Sequence, residues 1–280
     1  MAVPALIVPT PPLTPARFGL GSAADPITET GRIASGVAWE PNPCGPAHTD
    51  PALCGDTPTA RELDAGIGLD EADAIRVYAG FTCSAVGLSQ DQMTGRATLA
   101  LSSGEWAAVE AAVWSSTYLR LMRDVAAEDM VPGDPPNTVV LSETPVSVTR
   151  GLGLVEGFLG AHYGGIGVVH APRMVAAHAG TAQLLGTEPG RLVTPLGNRW
   201  SFGSGYPNTG PDGTAAAAGT AWLVVTGAVT FRRTPVTFRR SPSPREVFDP
   251  STNTFRAVAE RAYVVAWDDC VRAAVPITLT

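Results

Sequence analysis

The longest stretch of regular hydrophobic spacing begins at Ser102. Ser102-Ser103-Gly104-Glu105 fits a capping box, in which a hydroxyl accepts from the third amide and Glu105 reaches back to the cap. Trp106, Val109, Val113, Trp114, Thr117 and Leu121 follow at helical intervals. The pattern predicts a helix to about Ala127, ~37 Å long, ended by the Pro/Gly-rich residues 131–137. A second helix is predicted over residues 149–163, with Leu152, Val155, Phe158 and Leu159 on one face and Gly164-Gly165 as its stop. Residues 166–170 then read as a buried strand, and Pro172 opens a third helix at its first position, running to about Leu185.

Alternation and short apolar runs mark the strands. Ile75, Val77, Tyr78 and Phe81 make one run, and Ala97, Leu99 and Leu101 alternate with Arg96, Thr98 and Ala100. With residues 89–92 as a turn between them, residues 61–101 read as a polar loop followed by a two-stranded excursion. Residues 192–194 and 199–202 read as strands around the Pro195-Leu196-Gly197-Asn198 turn, and residues 206–219 as a loop. Residues 221–231 (AWLVVTGAVTF) form one buried strand run. Residues 255–267 and 273–279 give two more strands, joined across Asp268-Asp269-Cys270. Residues 1–60 hold many prolines and few periodic apolar positions. They cannot build a core alone, so they read as an extended arm held by neighbouring subunits. Helices and strands in this order describe an α+β architecture.

Composition sharpens this picture. Charged residues are 16% of the 280, against a typical ~25%. So few charges leave much surface neutral, as expected where copies cover one another. The chain contains no Lys; all 19 cationic residues are Arg. That excludes phosphate-loop, Schiff-base and kinase-type lysine chemistry. Residues 1–144 carry 7 Arg and 18 acidic residues, and residues 145–280 carry 12 Arg and 8. The acidic first half argues against a nucleic-acid reader. No apolar run reaches the ~18–20 residues of a membrane span. The N-terminus lacks the basic region of a signal peptide, which predicts synthesis in a cytosol.

Candidate chemistry is sparse. Cys44, Cys54, Cys83 and Cys270 form no CxxC, and His48, His162, His170 and His178 form no HExxH, so no metal site and no cofactor are expected. Cys44 and Cys54 flank a loop and are either bonded to each other or free thiols. Ser204 lies in Gly203-Ser204-Gly205, which is not a hydrolase elbow. Gly151-x-Gly153-x-x-x-Gly157 misses the dinucleotide spacing by one residue and reads as a helix start packed closely on a neighbour. His170 is the most catalytic-looking side chain; the alternative is a core or subunit-contact histidine bonded to backbone. Asp268 and Asp269 point to opposite faces and read as a surface turn. Arg232, Arg233, Arg239, Arg240 and Arg245 fall within 14 residues that hold no acidic residue. They suit either phosphate or an acidic protein surface, such as the first half of this chain, and are the candidate inter-subunit contacts.

Taken together, the element order resembles the HK97-fold major capsid proteins of tailed bacteriophages, a fold that encapsulins share. Gly167-Val168-Val169-His170-Ala171-Pro172-Arg173 resembles the axial-domain strand of that family, and the stretches 192–200, 222–231 and 260–265 resemble its later strands. The resemblance implies an N-terminal arm over 1–60, an E-loop over 61–101, a peripheral domain with the spine helix over 102–148, an axial domain over 149–230 and return strands over 231–280. It implies no catalysis. It further implies assembly with itself as pentamers and hexamers into an icosahedral head shell, with scaffold, portal and decoration proteins as further partners. The shell would enclose double-stranded DNA contacted non-specifically, in a virion whose subunits are made in the bacterial host cytoplasm. More narrowly, the chain resembles capsid proteins from phages of actinobacteria, which fits its all-Arg composition. Some members crosslink a Lys to an Asn; without Lys, that bond cannot form here. Three other readings stay open at this level: a decoration or head–tail connector protein, an encapsulin compartment, and an enzyme using His170.

Overall fold

The computed structural model describes residues 13–28, 32–42, 68–84, 89–115, 121–130, 137–238, 248–249, 251–269 and 271–279. In chain order its elements are α1 (Leu20–Ala23), β1 (Asp25–Pro26), β2 (Val37–Trp39), β3 (Asp70–Ala72), β4 (Ile75–Ser84), α2 (Gln90–Ser115), β5 (Val139–Val140), β6 (Val146–Ser147), α3 (Val148–His162), β7 (Val168–Pro172), α4 (Val175–Thr181), β8 (Gly186–Glu188), β9 (Arg191–Val193), β10 (Arg199–Gly203), β11 (Thr220–Thr226), β12 (Val229–Arg233), β13 (Thr237–Phe238), β14 (Phe248–Asp249), β15 (Thr254–Trp267) and β16 (Arg272–Thr278).

The spine helix starts earlier than its spacing predicts. Ser89 and Gln92 form the capping box: Gln92 N–H donates to Ser89 Oγ (3.3 Å), and Ser89 N–H donates to Gln92 Oε1 (3.0 Å). Residues 89–92, expected to be a turn, are therefore a cap. Residues 97–101, expected to be a strand, lie inside α2: Ala97 and Leu101 are buried one turn apart and Leu99 points out. Three alternating apolar positions fit either period, and the upstream cap decides. Ser102 and Ser103 instead donate to the carbonyls of Leu99 (3.0 Å) and Ala100 (2.8 Å) within the helix. The far end is shorter than expected. Leu121 and Met122 N–H donate back to Val113 and Trp114 O, and residues 127–129 form only a 3-10 turn.

Among the described residues, six strands form one sheet and eight another. In the first, β15 pairs with β4 along one edge and with β12, β13 and β14 along the other. In the second, the order is β5-β16-β11-β7-β10-β9-β8, with β6 also on β16. The apolar run 221–231, expected to be one strand, is two. It breaks at Gly227-Ala228, so that β11 joins the eight-stranded sheet and β12 the six-stranded one. Residues 223–226 of β11 are buried on both faces, whereas β12 buries Val229 and Phe231 and leaves Thr230 and Arg232 half-exposed; the apolar letters run on through the break and do not mark it. The last two strands part in the same way, β15 to one sheet and β16 to the other. Pro172, expected to open a helix, ends β7; the helix after it, α4, is seven residues long.

Each sheet has its own helix. Leu101, Val109 and Val113 of α2 pack with Phe231, Tyr263 and Val265, and Trp106 meets the Phe231 ring edge-on at 5.0 Å. Leu152, Val155 and Leu159 of α3 pack with Leu223, Val225, Val275 and Ile277. The other face of the first sheet is capped by Ile33 and Ala72 over Val264 and Ala266. β15 is buried throughout over residues 262–267 and mostly half-exposed over 254–261, where it pairs with β4 and packs with it, through Ala259 and Val77, toward Ala97 of α2.

The glycine pattern in α3 resolves residue by residue. A Cβ on Gly151 would lie 2.4 Å from Ile277 Cγ2, whereas nothing lies within 4 Å of one on Gly153 or Gly157. Close packing therefore holds for Gly151 alone. Gly153→Ala is expected to raise stability by about 0.5–1 kcal/mol, and Gly151→Ala to lower it by about 1–3 kcal/mol through overpacking. Urea midpoints that move in opposite directions for the two variants check this.

Candidate functional site

One group of polar side chains ties the two sheets together along their seam. Residues 17–27 run across it. On the eight-stranded side, Phe202 N–H donates to Phe18 O (2.7 Å), and the side chains of Arg173, Arg191 and Arg199 donate to the carbonyls of Arg17, Ser22 and Ala23 at 3.0–3.2 Å. Asp25 receives Arg191 at 2.5 Å and Arg199 at 2.7 Å. On the six-stranded side, β1 pairs in parallel with β12, and Ile27 N–H donates to Phe231 O. Burial pushes the Asp25 pKa up, but the hydrogen bonds and charges of Arg199 and Arg191 outweigh it and hold the carboxyl below its ordinary value.

From α2, the buried Glu110 reaches the same place. Its Oε1 accepts from Leu20 N–H (3.0 Å), and its Oε2 accepts from Gly205 N–H (2.9 Å) and Ser204 Oγ (3.4 Å). Burial raises its pKa, and these donors only partly offset that. A cleft of about 280 Å³ lies beside it, between residues 14–22 and the Ser102, Ser103 and Trp106 side of α2. One turn earlier, Glu105 is also buried and receives Arg261 of β15 at 3.2 Å. Ser204 thus serves as a donor to the Glu110 carboxylate.

His170 is fully buried. Its Nδ1 lies 3.0 Å from the Tyr206 hydroxyl and its Nε2 3.0 Å from Thr226 Oγ1. Thr226 donates its proton to Gly227 O, so Nε2 carries the ring hydrogen and Nδ1 accepts from Tyr206, which Ser201 contacts in turn at 2.8 Å. The partners are side chains rather than the expected backbone. Burial pulls the pKa of this histidine down to about 3. A ring sealed in the core and bonded at both nitrogens has no geometric support as a catalyst.

The remaining candidate residues scatter. Asp268, expected in a surface turn, is buried and accepts from Asn42 Nδ2 (2.9 Å) and Trp39 Nε1 (3.4 Å). Asp269 takes Trp267 Nε1 and Arg272 instead. Burial, together with the charges of Asp269 and Asp268, raises the pKa of nearby Asp70. Arg232 and Arg233 are adjacent on β12 and leave opposite faces of the sheet. Arg232 lines a pocket of about 180 Å³ with Trp39, Trp267 and Asp268, while Arg233 lies opposite Tyr263 of β15. Arg239, Arg240 and Arg245 lie outside the described residues, as do Cys44, Cys54 and Cys270. The seam residues Asp25, Arg191, Arg199 and Glu110 carry no sequence signal. They are isolated charges 166 or more positions apart, or a lone acid inside a helix.

No protein-family model and no curated protein matches the sequence. Solved structures resemble it over nearly its whole length. The capsid of the native GTA particle superposes with a TM-score of 0.57 at 12% identity, covering 99% of this chain and 95% of that one. The capsid of Ralstonia phage GP4 gives 0.52 at 9% identity, covering 99% and 95%. A chain of Gordonia phage Cozz gives 0.54 at 11% identity, covering 99% and 91%. Two sheets, a 26-residue spine helix against the first and near-complete coverage of both partners give this chain the α+β fold of the HK97-type capsid proteins.

Proposed function

We propose that the chain is the major capsid protein of a tailed bacteriophage, a structural subunit that assembles with copies of itself into the head shell. The observation that carries this reading is the superposition of 99% of the chain on the capsid subunits of the native GTA particle and of Ralstonia phage GP4. The physics of the surface agrees with it. From residue 97 to residue 115, the only charged side chains of the spine helix are Glu105 and Glu110, and both point inward. A helix flank without charge is poorly suited to water and well suited to being covered.

In this reading α2 is the spine, the β15–β4 ribbon belongs to the peripheral part and α3 with β7–β11 forms the axial part. β2 and β3 pair antiparallel, Val37 with Ala72 and Trp39 with Asp70, and residues 43–67 between them lie outside the described residues. Of the expected E-loop 61–101, residues 90–101 belong to α2. Pentamers and hexamers of the subunit build the shell. Scaffold, portal and decoration proteins complete the head, and packaged double-stranded DNA is touched without sequence preference. The virion is the site of action, after synthesis in the host cytoplasm. Among the described residues no helix is long and apolar enough to cross a membrane.

Expression of the full chain, alone and with a scaffold protein, tests the proposal by size exclusion and negative-stain imaging. Closed particles of uniform diameter with hundreds of copies are expected. A strictly monomeric product at high concentration with scaffold present overturns it. A ring of about a dozen copies would indicate a connector instead.

A further inference from the structure

Two covalent crossings join the sheets side by side. The chain passes from β11 to β12 at Gly227-Ala228 and from β15 to β16 at residues 268–271. The strands that flank these crossings pair with each other: Thr226 lies opposite Arg272, and Val229 lies opposite Trp267. Two adjacent strands crossing together define a line about which one sheet can turn relative to the other. Fixing that rotation needs a tether away from the line. Residues 17–27 are placed to be one. They attach to the edge of β12 away from β15 and, past β7, to β9 and β10.

We propose that residues 17–27 are a strap that sets the angle between the two sheets, with Asp25 as its lock. The two arginines that close on Asp25 come from β9 and β10, whereas the backbone beside Asp25 is hydrogen-bonded to β12. One carboxylate therefore ties both sheets to one segment. Asp25 is also the adjustable part of the seam. Its side chain is 42% exposed, while Glu110, which anchors the front of the strap to α2, is buried. A half-exposed ionic lock can open without exposing a core, which is what a subunit needs if one fold is to sit at positions of different curvature. The strap itself stands on the geometry of the single chain; its consequence for particle size rests on the shell reading above.

The test uses the full-length chain with Asp25→Asn and, separately, Arg191→Gln, which leaves Arg199 in place. Amide hydrogen exchange of residues 18–27 is expected to accelerate about tenfold or more in Asp25→Asn, because two charge-assisted bonds are lost, and less in Arg191→Gln. Small-angle scattering of unassembled subunits should show a broadened distribution of shapes. Assembled particles should show a wider spread of diameters than those of the parent chain. Faster exchange in the strap with subunit shape and particle diameters identical to the parent overturns the proposal, as does unchanged exchange. If the parent forms no particles while the subunit shape responds to Asp25→Asn, the strap stands and the shell reading falls. Arg191→Gln keeps the question answerable should Asp25→Asn not fold.

Discussion

The unfolding free energy of the unassembled chain is expected to fall by about 1.4 kcal/mol for each pH unit below 6.5, reaching a loss of about 5 kcal/mol near pH 3, because of His170 alone. Burial holds this imidazole neutral, with a pKa of about 3 against 6.5 for the ordinary side chain. Between those values the unfolded chain binds a proton that the folded chain refuses, so acid favours unfolding. The stability is fully present above pH 6.5 and is lost as pH falls toward 3. Protonating Nδ1 would also turn the acceptor of the Tyr206 hydroxyl into a donor facing a donor, inside a site fully closed to water. Asp25 adds a loss of the same sign only below its ordinary value of 3.8, so it does not overlap the upper part of the window. Urea melts followed by tryptophan fluorescence from pH 7 to pH 4 read the effect. His170→Gln should be less stable than the parent at pH 7 and lack this acid loss, its stability held level or raised on acidification because Glu110 and Asp70 titrate above their ordinary values in the folded chain, so that the two curves converge. Parallel curves would show that His170 does not govern the acid limb.

Much of this molecule was readable from its residues, and the misses share a cause. The second helix, the hairpin around residues 195–198 and the last two strands lie within two residues of where hydrophobic period and turn chemistry put them. At the hairpin, Gly197 adopts the positive φ (89°) that the turn demands. The spine helix follows its hydrophobic spacing in its middle and departs from it at both ends. Ser102-Ser103-Gly104-Glu105 has the letters of a cap, but Glu105 is drawn inward by Arg261, 156 positions away. The real cap, Ser89 with Gln92, offers the same letters with no apolar run immediately after it. A capping box is a local rule, and which of two satisfies it is settled by packing on the sheet. The break between β11 and β12 has no local mark either: the apolar run continues through Gly227-Ala228, and pairing with β16 or with β15 decides which sheet each half joins.

The seam was the least legible part. Nothing local marks Asp25, Arg191 and Arg199 as partners, since ion pairing across 166 or more positions has no periodicity. The charges of the Arg-rich stretch from Arg232 are contiguous in sequence, yet contiguity on a strand sends Arg232 and Arg233 to opposite faces. The family resemblance rested instead on element order, a coarse feature that survives identities of 9–12% with the superposed capsids. Order is kept because each element covers a definite face of a definite sheet; individual charges are free to move so long as buried ones are matched.

Gly205→Ala should be the most damaging single-methyl change at the seam, costing more than the ~1–3 kcal/mol of ordinary overpacking. A Cβ at this position would sit 1.9 Å from Ala107 O, 2.6 Å from its carbonyl carbon and 2.8 Å from its Cα. All three are backbone atoms in the middle of α2, so no side-chain rotation relieves the contact. Either the 203–206 loop withdraws or the helix shifts by more than an ångström, and either motion pulls Gly205 N–H from Glu110. Glu110 then keeps its burial but loses one of its two backbone donors, a cost on the order of 1–3 kcal/mol that adds to the clash. A total near 4 kcal/mol corresponds to a fall of about 10 °C in Tm for a chain of this size. Two comparisons give the measurement its meaning. Ser204→Ala removes only a 3.4 Å contact to the same carboxylate and should cost less than about 1 kcal/mol. Gly205→Ala combined with Ala107→Gly should be no better than Gly205→Ala alone, because the colliding atom is the carbonyl oxygen rather than the methyl. Rescue by the double variant, or a Tm within 2–3 °C of the parent for Gly205→Ala, would mean that the loop does not press on the helix as described.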